Sequence, residues 1–72
     1  MLAGKEQTQA VEAAFAKLSE QHQEIISLAK VAGLPHEEIG KNLGITVEAS
    51  RQLLRRAMLR LASVLEGQSG EG

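Results

Sequence analysis

All four arginines of this chain, Arg51, Arg55, Arg56 and Arg60, fall within the stretch "NLGITVEASRQLLRRAMLR" (residues 42–60), while every lysine lies outside residues 47–65. A guanidinium is a planar fork of donors, suited to bidentate contact with guanine O6 and N7 or with phosphate oxygens, and the amide of Gln52 suits adenine in the same way. Glu48 suits two different tasks. It can accept from cytosine N4, or it can favour the positive end of a helix that starts just before it. The chemistry on offer is therefore recognition of a polyanion by a basic helix face.

Catalytic chemistry finds little support. The 72 residues contain no aspartate, cysteine, tyrosine or tryptophan, which excludes disulfides, thiolate metal sites and thiol nucleophiles. His22 and His36 have no ligand-like spacing, and Glu37 and Glu38, adjacent on a helix, point about 100° apart and cannot face each other as a carboxylate pair. No enzyme, no cofactor and no metal are expected. No apolar run approaches the roughly 18 residues of a membrane span, and the first residues lack the pattern of a signal peptide. The expectation is a cytoplasmic protein without a membrane contact.

The formal net charge of −1 conceals a segregation. Residues 1–46 sum to −2 and residues 47–65 to +3, with Glu66 and Glu71 acidic beyond them. One helix is a basic patch on an otherwise acidic chain.

The elements that must carry this patch are all helices: Ala, Leu, Glu, Gln, Lys and Arg dominate, and proline occurs once, at Pro35. A first helix is predicted from about Thr8 to Lys17, with Val11, Ala14, Phe15 and Leu18 on its buried stripe. Ser19 caps a second, whose apolar side is Ile25, Leu28, Ala29 and Ala32, and Gly33 gives its left-handed stop. A short third helix follows Pro35, with Glu37 and Glu38 in its first turn, Ile39 and Leu43 facing inward and Gly44 ending it. Thr46 caps a fourth, from Val47 to about Glu66, roughly 30 Å long. On it Val47, Ser50, Leu54, Ala57, Met58, Leu61 and Leu65 share one side. Glu48, Gln52, Arg55, Arg56 and Leu59 share the other, with Arg51, Leu53 and Arg60 near the boundaries. The fold class is all-α, a compact four-helix domain over residues 8–66, flanked by a disordered N-terminal segment (1–7) and a flexible tail (67–72).

The segment "HEEIGKNLGITVEASRQLL" has the layout of a helix-turn-helix with a long recognition helix. Gly40 lets the second helix cross closely, Gly44 permits the φ > 0 turn, and Ile45 plugs the space beneath. Such a helix enters the major groove with its N-terminal half foremost. The candidate DNA-binding residues are Thr46, Glu48, Ala49, Arg51, Gln52, Arg55 and Arg56, of which Thr46 is first a cap and only secondarily a phosphate contact. Lys41 and His36 are further phosphate neighbours or ordinary surface residues. Ser50, placed on the inner side, needs a partner for its hydroxyl, such as the backbone carbonyl one turn earlier.

From about Phe15 to Leu65 the chain resembles region 4 of bacterial sigma factors, the extracytoplasmic-function group in particular. The likeness is carried by "LSEQHQEIISLAKVAGLPHEEIGKNLGITVEASRQLLRRAMLRLASVL", most specifically by "GLPHEEIGKNLGIT" and "RRAMLRLASVL". It implies the C-terminal domain that reads the minus-35 element of double-stranded promoter DNA and docks by its other face on the β-subunit flap of RNA polymerase, with an anti-sigma factor as a further partner. By position, base reading falls to Glu48, Ala49, Arg51 and Gln52, and backbone contact to Arg55 and Arg56. The chain departs from the pattern at Ser50, where the family usually has valine, and at Leu53, where it has a basic or polar residue. The core-binding and melting functions of a sigma factor have no counterpart here, as for an excised domain or a stand-alone reader. A monomer is expected. The acidic body implies weak affinity for DNA unless the domain is tethered to polymerase, where effective concentration substitutes for affinity.

Two other readings fit parts of the sequence. A LuxR-type regulator shares the opening of the helix-turn-helix but usually continues with a "TVK.H" pattern that is absent here. A protein-interaction module would use Leu59 and Leu53, apolar residues among arginines, to seat a partner helix.

Overall fold

The computed structural model describes residues 2–71, with side chains described for residues 9–67. It contains four helices and, among the described residues, no strand: α1 (Leu2–Ala16), α2 (Glu20–Ile26, continued by a π-helical segment, Ser27–Val31), α3 (His36–Leu43) and α4 (Val47–Glu71). The expected all-α architecture with a terminal helix-turn-helix is the one observed.

Local chemistry explains each boundary. Ser19 has extended backbone, and its hydroxyl accepts from the His22 N–H at 3.2 Å, which starts α2. The Gln23 side-chain amide donates to the Phe15 and Leu18 carbonyls at 3.0 and 3.2 Å, satisfying acceptors at the α1–α2 corner. At the other end of α2, Gly33 has φ +70° and the Leu34 N–H returns to the Leu28 carbonyl at 3.0 Å, a glycine stop of Schellman type. Pro35 precedes α3 and its carbonyl accepts from both Glu38 and Ile39 N–H groups at 3.0 Å. Gly44 closes α3, also at φ +70°.

The core is built from Ala14, Leu18, Ile25, Ile26, Ile39, Ala57 and Leu61, with Phe15, Leu28, Leu43, Leu53, Leu54 and Leu65 packed around it. Helix α4 supplies the inner wall against which α1, α2 and α3 all pack. A few large apolar side chains and one long shared wall suit a chain this short, whose surface is large for its volume.

Four expectations need correction. Val11 is 45 % exposed rather than buried with Ala14 and Leu18. Ile26 is buried and Ala32 exposed, because the turn from Ser27 to Ala32 closes with an i→i+5 bond, Ala32 N–H to the Ser27 carbonyl at 2.9 Å, and the extra residue rotates the apolar stripe. On α4, Met58 is 37 % exposed rather than on the inner side. Helix α1 begins at Leu2 rather than Thr8, and α4 runs to Glu71 rather than Glu66. Met1 and Gly72 lie outside the described residues, as do most side chains of the end segments 1–7 and 67–72.

Candidate nucleic-acid interface

The platform beneath α4 is set by two glycines. The backbone N–H groups of Gly44 and Ile45 both donate to the Gly40 carbonyl, the latter at 2.9 Å, so the turn folds back over the last turn of α3. A Cβ on Gly40 would stand 2.6 Å from the Ile45 carbonyl oxygen. The feature that needs the missing side chain is thus the turn backbone, not the axis of α4 as the sequence pattern implied. Gly44 serves by its positive φ alone, since no atom crowds its missing Cβ.

From this turn α4 starts with its cap in place: the Thr46 hydroxyl accepts from the Ala49 N–H at 3.0 Å. The outer face then presents Glu48, Arg51, Gln52, Arg55 and Arg56, all exposed. Ala49, half-buried, lies in a shallow recess with Gln21, Ile45, Gln52, Leu53 and Arg56. Gln21 comes from α2, and no sequence signal marked it, because the approach of α2 to α4 is a tertiary event. All seven candidate residues therefore lie on or at the start of α4, and the fold adds Gln21 beside them.

Electrostatics along this face are lightly engaged. Glu48 and Arg51 form an i,i+3 pair at 3.8 Å with side chains 70 % and 63 % exposed. An exposed pair of that kind contributes at most about 1 kcal/mol, so Arg51 leaves it at little cost when a better acceptor arrives. Arg55, Arg56 and Arg60 have no ion pair among the described residues. Lys41 pairs with Glu38 at 3.8 Å and lines an open cleft with Gly40, Gly44 and Thr46 at the start of α4.

His36 plays a different part from the one its position suggested. Its Nδ1 lies 2.7 Å from the Ser50 hydroxyl, and Ser50 is fully buried. The partner that Ser50 requires is therefore an imidazole from the first residue of α3, not a backbone carbonyl of its own helix. Among the described residues no group of acidic and histidine side chains is arranged to hold a metal ion.

A helix-turn-helix with an arginine-lined second helix occurs in many regulators, and geometry alone does not separate them. Residues 14–63, 50 of the 72, match the family described as sigma-70, region 4. The chain belongs to this family. The match begins and ends close to the stretch that carries the resemblance in sequence and spans α2, α3, the turn and most of α4. Sigma-70 region 4 is a DNA-binding region of transcription initiation factors and not an enzyme family, and its members engage promoter DNA and RNA polymerase. No curated protein and no solved structure matches the chain at a significant level. No helix among the described residues is long and apolar enough to cross a membrane.

Proposed function

We propose that this region 4 reads the minus-35 promoter element as the C-terminal domain of an extracytoplasmic-function-type sigma factor. The observation that carries the reading is the outward array of Arg51, Gln52, Arg55 and Arg56 on a capped helix that a glycine-defined turn projects from the body. Helix α4 lies in the major groove with its first turns foremost. Arg51 and Gln52 take base edges, Ala49 offers a methyl surface to thymine, and Glu48, released from Arg51, accepts from cytosine. Arg55 and Arg56 hold phosphates, and Thr46 acts chiefly as the cap. Residues 8–66 are the functional unit, acting as a monomer in the cytoplasm, with 1–7 and 67–72 outside it.

We assign the flap of the polymerase β subunit to the groove lined by Val11, Phe15, Ile26, Val31 and Leu61, where α1 and α2 meet α4. Val11 and Val31 are 45 % and 83 % exposed there, and the groove shares no residue with the arginine face, so both partners bind at once. A second reading is favoured by Leu59. It is 62 % exposed and shares a recess with Gln52, Arg55 and Arg56, so an anti-sigma helix carrying acidic and apolar residues would cover the DNA-reading face.

Selection of duplexes from a random pool by the purified chain at low salt tests the first reading. One short motif is expected, and Arg51→Ala should cost about 1–3 kcal/mol on that motif while relaxing the preference. Enrichment of no motif would overturn base reading by α4. Loss of equal size on all duplexes would overturn the role given to Arg51.

A further inference from the structure

The hydrogen bond between His36 and Ser50 uses neither of the proposed base readers, yet it joins the two halves of the helix-turn-helix. Along α3, eight residues separate His36 from Gly44, a rise of about 12 Å, and along α4, four separate Thr46 from Ser50, a rise of about 6 Å. The turn, pinned over Gly40, is the vertex between these two sides. The Nδ1 to Oγ contact of 2.7 Å closes the third side. The bond adds a directional constraint to the apolar packing of α3 against α4.

The chemistry favours this bond. Ser50 is fully buried, and a buried hydroxyl left without a partner is destabilising. A serine has too little volume to wedge the helices apart as a branched apolar side chain would, so directional bonding replaces shape as the spacer. Ser50 also immediately precedes Arg51, so any rotation of α4 about its axis moves Arg51 and Gln52 together.

We infer that His36 is a positioning residue for DNA reading: by its bond to Ser50 it sets the angle and rotation at which α4 presents Arg51 and Gln52 to base edges. This rests on the proposed reading of DNA by α4. It adds a determinant of sequence preference that touches no DNA, on a helix that carries no base reader.

Two measurements test it. The first needs no DNA: residual dipolar couplings of the 15N-labelled chain report the α3–α4 angle in the wild type, in Ser50→Ala and in His36→Leu. A changed angle in both folded variants is expected, and an unchanged angle overturns the inference. The second compares binding to the duplex selected by the wild type with binding to a scrambled duplex. Both variants should lose about tenfold on the selected duplex, the scale of one misread base pair, with binding to the scrambled one unaltered. His36→Asn, which sets an amide where Nδ1 stands, should restore the preference, and His36→Gln, whose amide falls where Nε2 stands, should not. Equal losses on both duplexes, or no rescue by asparagine, would reduce the pair to a purely structural contact and overturn the positioning role. If a single substitution unfolds the chain, the pair His36→Leu with Ser50→Val refills the site with apolar volume, and a lost preference at an unchanged α3–α4 angle in that folded protein would equally refute the inference. Absence of any selected motif in the wild type, with the angle changed in the variants, would instead fault the reading of DNA and not the tie.

Discussion

Replacing Arg56 by alanine separates charge from specificity with little effect on the fold. The side chain is exposed, forms no ion pair among the described residues and sits mid-helix, where alanine is the better helix former by a few tenths of a kcal/mol. Folding stability should therefore stay within about 0.5 kcal/mol of wild type. Binding should change in one particular way. Each phosphate neutralised contributes about −0.9 to the slope of log K against log salt. With Arg55 and Arg56 as the two phosphate holders, the wild type should show a slope near −1.8, and Arg56→Ala a slope near −0.9. Between about 50 and 200 mM salt the affinity gap between the two proteins should thus shrink about 3.5-fold. Fluorescence anisotropy across a salt series, on the selected and a scrambled duplex, gives both slopes. Parallel lines on either duplex would show that Arg56 neutralises no phosphate. A loss confined to the selected duplex would make it a base reader and undo the division of labour along α4.

Other positions test the frame. Ile39→Ala, at a fully buried core site, should destabilise the domain by about 2–5 kcal/mol, read as a fall in the urea midpoint, which for so small a core approaches complete unfolding. Thr46→Ala should cost about 0.5–2 kcal/mol of stability by removing the cap on α4, while DNA affinity measured on the folded fraction changes little; a large selective loss would make the hydroxyl a phosphate ligand. Gly44→Ala, at φ +70° with open space around it, should lower stability by about 1–2 kcal/mol through backbone strain alone, seen as a lower Tm without loss of helical circular dichroism at low temperature. Val31→Glu should leave folding and DNA binding intact and abolish capture of the chain by the isolated polymerase flap; capture undiminished would place the flap elsewhere.

What the sequence made legible was local chemistry. Ser19, Gly33, Gly44 and Thr46 act on groups within a few residues of themselves, so their identities declare the helix ends without knowledge of the tertiary fold. The arginine face is equally local, since a regular α-helix fixes which side chains share a side. The misplaced residues all depend on something a helical wheel does not contain. Ile26 and Ala32 exchanged places because one turn of α2 is wider than the α-helical spacing assumed for it. Val11 lies at the edge of a groove whose walls come partly from other helices. Gln21 was unmarked, and His36 was given another part, because Ala49 and Ser50, beside which the fold sets them, lie 28 and 14 residues away in sequence. Distances in sequence of that size are resolved only when helices dock.

The clustering of all four arginines between Arg51 and Arg60 has a consequence for how the molecule meets DNA. With +3 over residues 47–65 and −2 over residues 1–46, the chain is closer to an electrical dipole than to a polycation. In the field of a duplex a polycation is merely attracted, but a dipole also feels a torque, which swings its basic end toward the phosphates while the acidic body is pushed away. Collisions that begin with the wrong side forward are turned or rejected before contact. Charge segregation thus selects the orientation of the encounter, so a molecule with almost no net charge searches DNA with its recognition helix leading.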